Sequence, residues 1–424
     1  MPPKLSVKNL YKVFGMRPGK AIKLAGAGLD KDAIYRETRS VVAVNNISFD
    51  LAPGEIFVVM GLSGSGKSTL VRCLNRLIDP SRGSIRVDGT EIVDADREAL
   101  RQIRLRKISM VFQHFALFPH KTVVENAEYG LKMQGCAPAE RRESAMQALE
   151  AVGLAEWADS FPDALSGGMR QRVGIARALA VNPEVLLMDE PFGALDPLIR
   201  AEMQKELLKL RERYNCSIVF ISHDLNEALS LGDRIAIMKD GRFVQVGTAH
   251  QIVTEPADDY VAAFTREVDR SRVLPASVVT ADLEPLIAGH DRVGAARERL
   301  EEAPHNSLPV VDKTNNLLGV VDAESLTDLP PRMDVGEAMR DETPSVQSSA
   351  PIVDVFEQCA AGDTVPVVSA SGRYKGIVDP LQVFAVLGKG ASASEAVADE
   401  PDVEANPPPA METADKPGPE RLSA

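Results

Sequence analysis

At 424 residues with 44% apolar side chains, the chain has length for about three domains with sizeable cores and is too apolar to be disordered throughout. A formal charge of −13 argues against a basic nucleic-acid footprint, no apolar run approaches the ~18 residues of a bilayer span, and the start MPPKLSVKNLY lacks the apolar region of a secretory signal. Cys73, Cys136, Cys216 and Cys359 lie far apart with no CxxC or Cys/His spacing, which points to reduced, mostly buried thiols rather than a metal or redox centre.

Along the chain, the strand-like runs VVAVNNISFDL (41–51) and IFVVM (56–60) lead into Gly61, Leu62, Ser63, Gly64, Ser65, Gly66, Lys67, Ser68 and Thr69, and then into the helical run LVRCLNRL. This is the Walker A pattern in the strand–turn–helix setting it requires. Its glycines let successive backbone N–H groups face one concavity, and the helix dipole adds positive potential where phosphates lie. Lys67 is placed for the β- and γ-phosphates of ATP, and Ser68 for Mg²⁺. The basic run Arg101–Lys107 reads as a solvated helix face.

The segment between Gln113 and Leu165 is mainly helical, including a helix over 138–154, and ends in LSGGMRQR (165–172). The apolar run Val185–Met188 then closes on Asp189 and Glu190, as a buried strand does when its carboxyl end reaches a nucleotide site. Asp189 would complete the Mg²⁺ shell, and Glu190 is placed to orient and polarise the attacking water. A helix over 197–213 and the strand-like runs SIVFIS and RIAIM follow, so strands and helices alternate as in an α/β doubly wound core.

These segments, in this order, make residues 5–265 resemble the nucleotide-binding subunit of an ABC transporter. The resemblance implies that Gln113 senses the γ-phosphate and Mg²⁺, that Ser166, Gly167 and Gly168 are the signature, that Ala194–Asp196 form the D-loop, and that His223 is the switch histidine. It matches the adenine-stacking aromatic to Phe14, with Tyr11 as second choice, because an insertion precedes Val44 and bears on the position of that loop. It also implies a head-to-tail homodimer in which Ser166 and Gly168 of one subunit meet the γ-phosphate held by the other. Phe115, Leu117 and Phe118 are candidates for a groove that receives a membrane permease, with core packing as the alternative. Non-transport relatives fit poorly: only one Walker A occurs, no sustained heptads separate Gln113 from Ser166, and Lys67, Asp189, Glu190 and His223 are intact.

Beyond about residue 275 a pattern repeats: Leu308–Val311 maps onto Val365–Val368, and Gly319–Asp322 onto Gly376–Asp379. This is similar to a tandem pair of CBS motifs. The hydroxyl and aspartate that grip ribose in that family are not matched by Asp322 and Ser325 or by Asp379 and Gln382, so a regulatory or dimer-stabilising module is favoured over ligand sensing. Arg292, Arg297, Glu298, Arg299, Glu301 and Glu302 read as surface charges on one helix and as candidate salt-sensitive contacts. The reading divides the chain into an ATP-binding cassette over 1–270 (helical subdomain about 114–165), repeats over 277–329 and 334–388, and a Pro/Ala/acidic tail over 389–424. That tail carries eight acidic against two basic residues from 391 onward and is expected to be disordered.

Together, LYKVFG, the insertion with LDKDAIYRET, MGLSGSGKST and the repeats resemble ATP-binding subunits of glycine betaine/proline importers. The resemblance implies a peripheral subunit on the cytoplasmic face of the inner membrane, an integral permease and a periplasmic or extracellular substrate-binding protein. Relatives carry choline, carnitine or histidine, and the residues that choose among these solutes lie on the partners.

Overall fold

The computed structural model describes residues 2–388 apart from 114–115, 194, 267, 303–304, 341–342, 357 and 359–363. Phe115, Ala194, Cys359 and the tail over 389–424 therefore lie outside the described residues.

Strand β1 (Leu5–Phe14) pairs antiparallel with β2 (Val41–Leu51), and the insertion between them folds as two helices, α1 (Pro18–Gly26) and α2 (Lys31–Thr38). Asp30 caps α2 by accepting from the Ala33 N–H at 2.7 Å. The two helices cover the strands through a small core of Val13, Ala21, Ala25, Ile34 and Val42. Phe14 and Val41 thus stay opposite each other across the insertion.

The central sheet is built from β3 (Ile56–Met60), β6 (Ile108–Val111), β7 (Val185–Asp189), β8 (Ser217–Ser222), β9 (Arg234–Lys239) and β10 (Arg242–Gly247), in the order β10-β9-β3-β8-β7-β6. Strands β4 (Arg82–Val87) and β5 (Thr90–Glu91) extend the antiparallel sheet instead. Every residue of β3, β7 and β8 is buried, as parallel strands covered on both faces must be. Alternate side chains feed two cores. Val58, Met60, Met188 and Phe220 join the core under the helical segment, while Phe57, Val59, Leu187 and Val219 join the one under β1 and β2. Each such large side chain contributes about 1.5–3 kcal/mol by leaving water.

After β3 come α3 (Lys67–Leu74) and α4 (Arg97–Arg106). The helical segment holds α5 (Val123–Ala127), α6 (Tyr129–Gln134), α7 (Pro138–Ala151) and α8 (Gly167–Leu179), and α9 (Pro197–Tyr214) follows β7. Helix α7 stops before the expected residue 154, because the chain turns at Gly153 with φ 69°. Arg104 corrects the solvated reading of the basic run: it is partly buried and donates to the carbonyls of Asn75 and Arg76 at 2.8 and 2.7 Å. Burial lowers its pKa from the usual arginine value.

The repeats form two small sheets with matching plans. In one, β12 (Leu286–Ile287) runs parallel to β13 (Ser307–Val311), which pairs antiparallel with β14 (Leu317–Asp322); in the other, β15 (Val346–Gln347), β16 (Pro366–Val368) and β17 (Tyr374–Val378) do the same. Each half lends its leading segment to its neighbour: β11 (Thr280–Ala281) pairs with β17, and Arg340 bridges to Val320. Val268 and Val273 pack with the cassette core, whereas Leu274 and Ala276 begin a core with Val346, Ile352 and Val367. Arg297, expected to be a surface charge, is part-buried and donates to the carbonyls of Leu326 and Leu329 (2.8 Å), while Arg299 donates to that of Glu284 (2.5 Å) in an exposed position.

Candidate functional site

Parallel pairing puts the chemistry in one row. Met60 is level with Ser222, and Asp189 with Ile221, so Gly61, Glu190 and His223 leave neighbouring strands at the same carboxyl edge. A cavity of about 650 Å³ opens there, lined by the Walker A loop, Gln113, Glu190 and His223 together with Lys31 and Val41–Ala43.

The loop is tightly held. A Cβ on Gly61 would lie 2.1 Å from the Met238 carbonyl oxygen, and one on Gly66 2.2 Å from that of Ala43, with φ at 152° and 108°. Lys67, 5% exposed, donates to the carbonyls of Gly61 and Leu62 at 2.8 and 3.2 Å and stands 3.9 Å from Glu190. Burial lowers its pKa from the usual lysine value against the opposing pull of Glu190 and Asp189.

Glu190 is the hub. Its backbone is left-handed (φ 46°). Its Oε2 accepts from Gln113 Nε2 at 3.3 Å and lies 3.2 Å from His223 Nδ1. Asp189, 1% exposed, has one oxygen 3.3 Å from Arg72 Nη2 and the other, Oδ1, without a partner. A buried carboxylate oxygen with free lone pairs, close to the Ser68 segment, fits a hard cation such as Mg²⁺.

Of the expected site residues, Gly61–Gly64, Gly66–Thr69, Gln113, Glu190 and His223 line the cavity. Ser65 sits behind it, 6% exposed, its Oγ without a partner. Phe14 is not in the lining but pairs with Val41, which is, and the Lys12 ammonium lies 4.9 Å from its ring centroid. Tyr11 lines a different cleft, with Asn45 and Arg242. The signature stands apart from this chain's own cavity. Ser166 caps α8 by accepting from Met169 N–H at 3.3 Å, and Asp196 caps α9 by accepting from Leu198 and Ile199. A Cβ on Gly168 would come 3.0 Å from Ile199 Cγ2 on α9 and 3.9 Å from Leu195 Cδ2, so the signature packs on the start of α9 and on the D-loop. Leu117 packs against the core, and Phe118 lies 4.6 Å from Tyr129 between ring centroids, its loop tied by the buried Asn126.

Two residues escaped the sequence reading. Lys31 comes from the insertion, where nothing in the local pattern marks a ligand. Glu227, on α10 (Leu225–Leu231), is 7% exposed and accepts from Ser222 Oγ and from Gln204 Nε2 at 3.1 Å. Burial raises its pKa. Burial likewise pushes the thiols of Cys73 and Cys216 up to about 12 and about 11. No helix among the described residues is long and apolar enough to cross a membrane.

Comparison with known proteins agrees with this geometry. The ABC transporter family model matches residues 44–193 and the CBS domain model residues 278–331. The chain is 46% identical over 402 residues to the glycine betaine/proline betaine transport system ATP-binding protein ProV of Salmonella typhimurium, covering 92% of this chain and 98% of that one. It is 44% identical over 389 residues to the glycine betaine/carnitine transport ATP-binding protein GbuA of Listeria monocytogenes, covering 91% and 97%. Among solved structures, cbiO1 from Clostridium perfringens, part of the ABC transporter complex cbiONQ, aligns with a TM-score of 0.51 at 27% identity over 61% of this chain and 93% of its own.

Proposed function

The chain belongs to the ATP-binding subunits of glycine betaine-type ABC transporters, and from that premise we propose that it hydrolyses ATP to energise uptake of glycine betaine, proline betaine or a related quaternary amine through a membrane permease. The observation that carries the reading is the convergence of Lys67, Gln113 and His223 on Glu190 beside the Walker A loop, in a chain collinear with betaine-transport relatives.

Ser68, Gln113 and Asp189 would hold Mg²⁺, which supplies charge neutralisation on the phosphates. Lys67 and the loop N–H groups hold the phosphates; Glu190 accepts a proton from and orients the attacking water; His223 and Gln113 fix the Glu190 carboxylate. Phe14, the cross-strand partner of Val41 in the cavity wall, would stack on adenine. The signature lies outside its own subunit's cavity, which supports a head-to-tail dimer in which Ser166–Gly168 of each copy complete the site of the other. Gaining and losing the γ-phosphate contacts would then close and open the dimer.

The permease is the membrane partner, the solute-binding protein acts through it, and the subunit sits on the cytoplasmic face. Met133, Trp157 and Phe161, all exposed on the helical segment, offer apolar surface for that contact. We place the domain division as the sequence suggests, with the repeats as a regulatory or dimer-stabilising module. Accumulation of labelled glycine betaine by vesicles holding the reconstituted transporter tests the function: uptake should require ATP on the side of this subunit. ATP-independent uptake, or none for betaine, proline betaine, choline or carnitine, would overturn it.

A further inference from the structure

The α1–α2 hairpin reaches the nucleotide cavity through one side chain. Lys31, the first residue of α2, lines it beside Val41, Val42 and Ala43, the wall supplied by β2. The phosphate-side groups Lys67, Gln113, Glu190 and His223 come instead from the ends of the central sheet. Val41 is also the cross-strand partner of Phe14. With Phe14 taken as the adenine-stacking aromatic, Lys31 belongs to the adenosine wall of the cavity, on a different element from the hydrolytic cluster.

Its present partner is a weak hold. The Lys31 ammonium lies 3.1 Å from Asp240 Oδ1, with the two side chains 31% and 64% exposed. Ion pairs so open to water gain little from each other. Asp240 occupies the turn between β9 and β10 at φ 51°, and the next residue grips the Walker A loop: Gly241 N–H donates to the Ser65 carbonyl at 2.9 Å. The hairpin is in turn fixed from below by its own core and by Arg242, which donates to the Ala25 carbonyl at 2.8 Å. A long cation is thus held in the lining of an anion-binding cavity by one exposed carboxylate, on a hairpin anchored by its own core.

Resting on the reading of this cavity as an ATP site, we propose that Lys31 is a nucleotide-binding residue that exchanges Asp240 for the ribose and α-phosphate, the portion that ATP and ADP share. A polyphosphate carries more charge than a lone carboxylate, so the exchange is favourable, and the flexible lysine stem spans it without rearranging the hairpin.

Affinities of the purified full-length protein for ATP and for ADP, with Mg²⁺ present, test this in the parent and in Lys31→Ala, Lys31→Arg and Asp240→Asn. Lys31→Ala should weaken both nucleotides by about three- to tenfold, as expected for losing one hydrogen bond in a partly solvated position, less the cost of breaking the Asp240 pair. Lys31→Arg should restore most of the loss, and Asp240→Asn should leave affinity unchanged or tighten it, because the lysine is released. Unchanged affinities in Lys31→Ala would overturn the proposal. So would a loss confined to ATP, which would put the ammonium at the γ-phosphate, or an equal loss in Asp240→Asn, which would make the pair a brace for the turn. Failure of the parent protein to bind either nucleotide would instead remove the ATP site itself, and this inference with it.

Discussion

His223 and Glu190 meet across two parallel strands, Nδ1 of the ring 3.2 Å from Oε2 of the carboxylate. The contact exists because Asp189 is level with Ile221 in the sheet, so the residues just past each strand emerge together. It gives the carboxylate a fixed direction, which a water-orienting group needs.

Glu190→Gln should lower ATP turnover by about two or more orders of magnitude while nucleotide binding persists, since the amide keeps the hub's shape but takes no proton. Steady-state ATPase assays and equilibrium nucleotide binding on the assembled transporter separate the two effects. Near-parental turnover would remove Glu190 from its role. Lys67→Ala should differ in losing nucleotide affinity as well, as expected of an ammonium that grips the phosphates.

Two kinds of defective subunit should partly rescue each other. The signature lies outside its own chain's cavity, so a heterodimer of Lys67→Ala and Gly168→Asp keeps one site assembled from two intact halves. Its ATPase rate should exceed that of either mutant homodimer. A controlled heterodimer no faster than the homodimers would count against shared sites.

Glu227 should make the fold less stable as pH rises. Its burial raises the folded-state pKa above the unfolded value near 4.5. The folded protein therefore binds more protons between those two values, and stability falls with pH through that window. Glu227→Gln, which can still bond Ser222 and Gln204, should flatten the decline. Urea melts of both proteins at pH 4.5 and at neutral pH measure it; parallel pH profiles would show that Glu227 is not the source.

Ending the chain after Val273, where packing passes from the cassette core to that of the repeats, should leave ATP-driven betaine uptake largely intact and change its dependence on salt. The candidate salt-labile contacts are the partly exposed ion pairs between residues of the two repeats: Arg292 with Asp334 at 3.1 Å, and Arg340 with Asp322 and Glu324 at 2.9 Å each. Uptake by reconstituted full-length and shortened transporters across a potassium-salt series reads this out. Superimposable curves would leave the repeats as a stabilising appendage, and loss of all uptake would make them part of the motor's assembly.

The nucleotide chemistry was legible because it is written locally. A buried strand, a glycine turn and a helix start are consecutive in the chain, and Asp189 and Glu190 simply end the apolar run before them. The repeats were legible for a similar reason: each half carries the same strand, turn and strand, and each forms the same small sheet. Strand register alone brought Gln113, Glu190, His223 and Lys67 into contact, since no sequence spacing encodes which parallel strands become neighbours. Tertiary packing also decided which charges face water. Arg104 and Arg297 turn to backbone carbonyls in part-buried positions, and Glu227 is buried between Ser222 and Gln204. Lys31 reaches the cavity only because an apolar core seats its hairpin on β1 and β2, a placement set by Ile34, Ala25 and Val13 far more than by anything beside Lys31 in the chain.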